Sequence, residues 1–147
     1  MKPTIGLLMM ILAMTGASFA ADKPNAFPYS EFAKAAAPLQ GEVIDGVESI
    51  PLYLKALKAG DKIDCESAHF RIQMADGKIQ PLRCDPLPEK PEEGKSPADQ
   101  SRIRAGFTHK LWVPKDPKKY EGAVMYNDLP AGYLDIQFPS PARASDR

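Results

Sequence analysis

A chain of 147 residues with 19 Lys+Arg against 19 Asp+Glu is long enough for one domain and short for two. Its apolar share of 44% and charged share of 26% are those of a globular protein. The balanced charge excludes a strongly basic nucleic-acid binder and a highly acidic solvating chain.

The first twenty residues read as a secretory signal peptide. Lys2 supplies the positive n-region, residues 5–14 form an apolar run interrupted only by Gly6, and Ser18 and Ala20 make a small-x-small site for cleavage after Ala20. An apolar run of about ten residues is half of what a bilayer-spanning helix needs. Cleavage leaves residues 21–147, expected in the periplasm or outside the cell with no membrane span. No Cys follows the cleavage region, which argues against a lipoprotein anchor. The two cysteines, Cys65 and Cys84, are then expected to pair. A disulfide closing a loop of about twenty residues is worth roughly 3 kcal/mol in the chain-entropy account.

The mature chain is expected to be a single α+β domain. Ser30 reads as the cap of a short helix over 31–37, stopped by Pro38, with Phe32, Ala35 and Ala36 on one face. Val43 and Ile44 suit a short strand in the otherwise ambiguous stretch 41–49. Ser49 reads as a second cap, with Pro51 in the first turn and Gly60 beyond the last. Ile50, Tyr53, Leu54 and Leu57 fall at helical spacing between them, with Lys55 and Lys58 opposite.

From Lys62 the period changes to two. Ala68, Phe70, Ile72 and Met74 alternate with His69, Arg71 and Gln73, and Asp76-Gly77 signals a hairpin. The return strand over 78–84 contains Pro81, which confines it to an edge or a bulge. Simple register sets His69, not Cys65, opposite Cys84, so the disulfide needs a bulge or a bend before Ala68.

Residues 85–100 read as a Pro-rich acidic loop. They hold Pro86, Pro88, Pro91 and Pro97 with Asp85, Glu89, Glu92, Glu93 and Asp99, and no apolar period survives. Short strands follow over 102–107, 109–113, 123–126 and 133–138, and the tail after Pro139 is polar. The expected architecture is one small antiparallel sheet of five to seven strands with one or two helices packed on it. Trp112, Phe70, Phe107, Phe138, Leu54 and Leu57 are the candidate core.

Chemistry-bearing constellations are sparse. Cys65, His69 and Cys84 supply three possible zinc ligands, but zinc wants a fourth, and an oxidised cysteine pair cannot act as thiolates. Neither G-x-S-x-G nor a phosphate-cradling glycine motif occurs. His69 and His109 are the only histidines available as general bases. Asp61 with Asp64, and Glu92 with Glu93, read as a turn and a solvated loop. No catalytic residue, metal or cofactor is assigned.

Val43-Ile44-Asp45-Gly46, Leu82-Arg83-Cys84-Asp85 and Pro88-Glu89-Lys90-Pro91 resemble pieces of the micrococcal-nuclease family. That family carries V-x-D-G-D-T and R-L-x-G-I-D-A-P-E on an OB-type barrel. Here Val47-Glu48 replaces the Asp-Thr, and an extra residue separates Asp85 from Pro88-Glu89. The resemblance covers about fifteen residues, lacks the acidic residue needed for calcium, and implies a degenerate nuclease-like domain.

Charge pattern is the most informative feature left. The acidic loop abuts a basic stretch containing Arg102, Arg104, Lys110, Lys115, Lys118 and Lys119 against Asp116. The expected function is that of an exported, non-enzymatic protein-binding module, of the inhibitor or immunity-protein type. Its candidate contacts are Pro88, Glu89, Glu92, Glu93, Lys115, Lys118, Lys119 and Tyr120, with Tyr126 and Tyr133 as further aromatic anchors if exposed. The partner would be a protein of the envelope or extracellular space, not a nucleic acid. The alternative is a small-ligand-binding or envelope accessory protein with a pocket lined by Trp112, Tyr53 and Tyr126.

Overall fold

A computed structural model describes residues 25–139, so the leader and the tail after Pro139 lie outside the described residues. Among the described residues nine strands form two antiparallel sheets, not one. The smaller sheet has the order β1 (Asn25–Pro28), β8 (Val124–Asn127), β4 (Arg71–Gln73), β5 (Ile79–Pro81). The larger runs β2 (Glu42–Ile44), β3 (Val47–Ala56), β7 (His109–Pro114), β6 (Arg83–Pro86), with β9 (Leu134–Gln137) beside β2 on the same edge of β3. Three helices of the described residues complete an α+β fold: α1 (Tyr29–Ala36), α2 (Cys65–Ala68) and α3 (Pro97–Arg104). Ile72 and Met125 of one sheet, Ile50, Leu52, Leu54, Leu111 and Val113 of the other, and Tyr29, Phe32 and Ala36 of α1 share one core. This two-sheet arrangement differs from the single five-stranded barrel that the nuclease resemblance implies. Asp45-Gly46 is the tip of the β2–β3 hairpin, with both residues at positive φ, as a tight two-residue turn requires.

The helix expected over 50–57 is instead β3, the central strand of the larger sheet. Ile50, Leu52 and Leu54 point into the main core. Tyr53 points the other way, into a second cluster with Leu87, Ile103 and Phe107. A strand buried on both faces reads as a nearly continuous apolar run, and such a run also satisfies a helical period. Ser49 caps nothing; its hydroxyl donates to the Val47 carbonyl at 3.1 Å. Leu57, expected in the core, lies past the strand end and is 57% exposed. Leu54→Ala is therefore expected to cost about 2–5 kcal/mol of stability in urea unfolding. Leu57→Ala should stay within about 0.5 kcal/mol. Comparable losses from the two would contradict the strand.

Helix α1 starts two residues earlier than expected. Pro28 stands at its N-cap with φ −65°, Ser30 lies inside the first turn, and no side chain caps the end. The buried face is Tyr29, Phe32 and Ala36, whereas Ala35 faces solvent. The Tyr29 hydroxyl donates to the Pro114 carbonyl at 2.6 Å and accepts from the Asp116 N–H at 2.9 Å, fastening α1 to the end of β7.

The hairpin at Asp76-Gly77 forms with Ala75 added to the loop. Met74 N–H donates to the Lys78 carbonyl, and Arg71 stands opposite Pro81. Ala68 does not belong to the strand. It ends α2, which Asp64 caps by accepting from Glu66 N–H, and His69 then turns the chain through φ +51°. This bend lets Cys65 bond Cys84, with Cα atoms 5.7 Å apart. The return strand is split: β5 ends at Pro81 in the smaller sheet, and β6 continues as an edge strand of the larger one.

The acidic loop over residues 85–100 carries regular structure. It holds the end of β6, a 3-10 turn at Pro91–Glu93 and the first half of α3. Ser96 caps α3 by accepting from Asp99 N–H, with Pro97 in the first turn. The strand expected over 102–107 is the end of that helix and its exit turn; β7, β8 and β9 fall where strands were expected. Of the candidate core, Leu54, Phe70, Phe107 and Trp112 are buried, and Phe138 packs partly buried on the main cluster.

Candidate functional site

The larger sheet turns two faces to different surroundings. Its inner face fills the core. Its outer face carries Tyr53 on β3, Lys110 and Trp112 on β7, and Arg83 and Asp85 on β6, because these positions pair across the strands. Helix α3 covers one end of that face. It is held by Asp99, a carboxylate only 3% exposed. Tyr53 Oη donates to Asp99 Oδ1 at 2.6 Å, and Lys110 Nζ donates to Asp99 Oδ2 at 3.0 Å. Burial, then the hydrogen bond to Asp99, pushes the Tyr53 phenol far above its ordinary range, so it stays a donor. Arg102, whose guanidinium lies over the Tyr53 and Phe107 rings, donates to Gln137 Oε1 and the Phe138 carbonyl and ties α3 to β9.

Two clefts open beside residues 86–88, which line both. The larger, about 640 Å³, lies between the segment after β3 and the exit of α3. Ile63, Leu87, Ile103 and Phe107 make its apolar lining; Lys55, Lys58, Asp61, Lys62, Glu89 and His109 add the polar groups. The smaller, about 400 Å³, lies on the outer face of the sheet. Four of its charged groups are paired with one another. Arg83 Nε donates to Asp85 Oδ2 at 2.9 Å, Trp112 Nε1 donates to the same oxygen at 3.1 Å, and Lys110 faces Asp99. Asp45 and Asp85, two of the acidic residues in the nuclease resemblance, both face Arg83.

The candidate contact residues separate. Pro88 lies between the clefts and Glu89 on the rim of the larger one, while Glu92 and Glu93 are exposed on the 3-10 turn. The stretch 115–120 lines neither cleft. Lys115 Nζ donates to the Leu39 carbonyl at 2.6 Å, just beyond the end of α1. Lys118 and Lys119 are exposed. Tyr120 is 2% exposed and donates its hydroxyl to Gln80 Oε1, so it is a core residue and not a surface anchor. Trp112 lines the smaller cleft, Tyr53 is buried in the cluster with Leu87, Ile103 and Phe107, and Tyr126 lies in the other sheet under Arg71. The three do not share a pocket. Tyr133 donates to the Lys62 carbonyl at 2.6 Å.

The histidines lie apart. His69 Nδ1 is 3.4 Å from Asp128 Oδ2 on an exposed turn, and Asp128 also accepts from Arg71, which holds its carboxyl below the usual range. This pair lines none of the described clefts. His109 lines the larger cleft, with Thr108 Oγ1 2.8 Å from its Nδ1. Burial lowers its pKa, opposed by the charge of Asp64. In a proton NMR titration the His109 midpoint should fall below about 6.5. The folded pKa is the lower one, so the stability His109 contributes is present above 6.5 and lost as pH falls through its folded value. A midpoint above 6.5 would contradict its burial. Cys65 and Cys84 bond each other and are not thiolate ligands, and among the described residues no group of three His, Cys, Asp or Glu is placed to hold a metal.

The Tyr53–Asp99–Lys110 trio is the feature that sequence reasoning missed. One signal was present: Ser96-Pro97-Ala98-Asp99 is an S-x-x-D helix start with proline at the first helical position. Fold and site together define a two-sheet α+β domain, clipped by one disulfide, with an ordered Pro-rich excursion between two clefts. Compared with protein-family models, curated proteins and solved structures, the chain matches none.

Proposed function

We propose that the protein is an exported, non-enzymatic binding module whose contact surface is the excursion over residues 86–96. The observation that carries this reading is that the excursion is stapled at both ends and acidic between them. Leu87 is buried and its N–H donates to the Thr108 carbonyl at 2.8 Å. At the other end the Gly94 carbonyl accepts from Gln100 Nε2, and a Cβ at Gly94 would stand 2.9 Å from the Gln100 side chain. Glu89, Lys90, Glu92 and Glu93 are exposed between these anchors. A surface loop already ordered loses little conformational freedom on binding. The leader-like residues 1–20 and the disulfide support export, and among the described residues no helix is long and apolar enough to cross a membrane. Inhibitors of secreted hydrolases and immunity proteins share this build, which is an analogy of class.

The test is capture by tagged residues 21–147 from envelope and secreted extracts. One stoichiometric protein is expected, lost when residues 88–93 become a Gly-Ser linker and retained by Lys118→Ala/Lys119→Ala. Capture that survives the linker would overturn the assignment of the surface. A second reading, binding of a small ligand, is favoured by the larger cleft, whose volume falls in the usual range of roughly 300–1,000 Å³ for such sites.

A further inference from the structure

We infer that the larger cleft takes a single-chain amphiphile with an anionic head, of the fatty-acid carboxylate type; this rests on the small-ligand reading. The cleft has a chemical polarity. Its depth is apolar, made by Ile63, Leu87, Ile103 and Phe107 with the rings of Pro86 and Pro88. Its cations come from one run of chain, the end of β3 and the turn after it. Lys55 Nζ lies 4.8 Å over the Phe107 ring and spends one donor on the Ala105 carbonyl at 3.0 Å. An ammonium has three donors, so two remain at the edge of the apolar lining. Lys58 and Lys62 stand on the rim, and neither has an ion-pair partner among the described residues. Asp61 and Glu89 are the acidic lining groups, leaving an excess of one positive charge with His109 neutral. The other cleft has no such excess: Arg83, Lys95 and Lys110 are matched by Glu42, Asp85 and Asp99.

An apolar chain lying on the Phe107–Leu87 lining, with its carboxylate at Lys55 and the rim lysines, satisfies both parts of the cleft. A cationic amphiphile would set its head against three ammonium groups. A neutral one would leave the spare donors to water.

The probes are dodecanoate, dodecanol and dodecyltrimethylammonium below their micelle concentrations, titrated calorimetrically into residues 21–147 with the disulfide intact. Dodecanoate should bind one per chain, about tenfold tighter than dodecanol and with no saturable binding of the cation. Octanoate should bind about tenfold more weakly, through its shorter buried chain. Lys58→Glu/Lys62→Glu, on an exposed turn, should weaken dodecanoate about tenfold while leaving the melting temperature unchanged. Amide shifts on binding should concentrate at residues 58–63 and 106–109. Equal binding of dodecanol and dodecanoate would overturn the anionic head and leave the small-ligand reading standing. Failure of all three probes to bind would overturn both. Binding indifferent to the double charge reversal, or shifts elsewhere, would overturn the location.

Discussion

Lys110→Met is expected to lower the free energy of unfolding by about 3–5 kcal/mol, more than Asp99→Ala does, although the two residues are partners in one ion pair. The asymmetry follows from where each group can go. Lys110 lines the open smaller cleft, so without Asp99 its ammonium can turn to water and remain over the Trp112 ring. What Asp99→Ala strands is the Tyr53 hydroxyl, a buried neutral donor, at about 1–3 kcal/mol. Asp99 has no comparable exit. Its carboxylate is buried at the start of α3, and without Lys110 it keeps only the Tyr53 hydroxyl. Urea unfolding at neutral pH gives both values, and the double variant should cost less than the sum of the singles by about 0.5–3 kcal/mol. Hydrogen exchange should quicken first in α3, which the trio fastens to the sheet. A reversed order, or losses below about 1 kcal/mol in both, would mean that the trio does not hold the helix.

Breaking the disulfide should cost about 3 kcal/mol, since Cys65 and Cys84 are separated by 19 positions and the bond removes that loop's freedom from the unfolded chain. The cost has a local component in the folded state. The bond fastens α2 to β6, an edge strand that among the described residues pairs only with β7. Pro86 at the end of β6, with Leu87 and Pro88, lines both clefts. Reduction should therefore loosen the cleft walls before the common core, where Cys84 packs only at the margin. Unfolding of the wild type with and without reductant, beside Cys65→Ala/Cys84→Ala, measures the global term. Exchange at residues 83–88 measures the local one. A loss under about 1 kcal/mol would place the constraint in the folded state's own contacts, not in the loop.

The parts of the fold readable from the residues were those whose signal is local. Asp76-Gly77 turns the chain because glycine reaches φ +92° there and the Asp76 carboxylate accepts from Lys78 N–H. The strands at 109–114, 124–127 and 134–137 are bounded by proline, glycine and acidic turns that would end any element. The register problem at Cys84 was also visible, and with it the need for the bend that α2 supplies. The errors cluster where two tertiary faces meet. β3 looked helical because partners cover both of its sides. Helix α3 looked like part of a loop and a strand because only Asp99 and Ile103 of its residues are buried, so it shows no apolar stripe. Tyr120 looked like a surface anchor because its lysine neighbours are exposed, while its own ring packs on Tyr29 at 5.2 Å.

The candidate site was half legible. Pro88 and Glu89 were singled out by composition and do stand at the clefts, whereas Lys115, Lys118, Lys119 and Tyr120 of the basic stretch were expected to join them and line neither cleft. By itself the sequence determined the α+β class, the pairing of its two cysteines and the positions of its turns, because each depends on residue chemistry acting over a few positions or on a count of two. Only the tertiary structure decided that residues 47–56 are a strand, that the strands divide into two sheets, and that a buried Asp99 binds a helix to the outer face. The physical reason is that these outcomes depend on which surfaces cover an apolar run or satisfy a buried charge: β7 pairs with β3 from more than fifty positions away, and Asp99 needs Tyr53, 46 positions back, together with Lys110, 11 positions ahead.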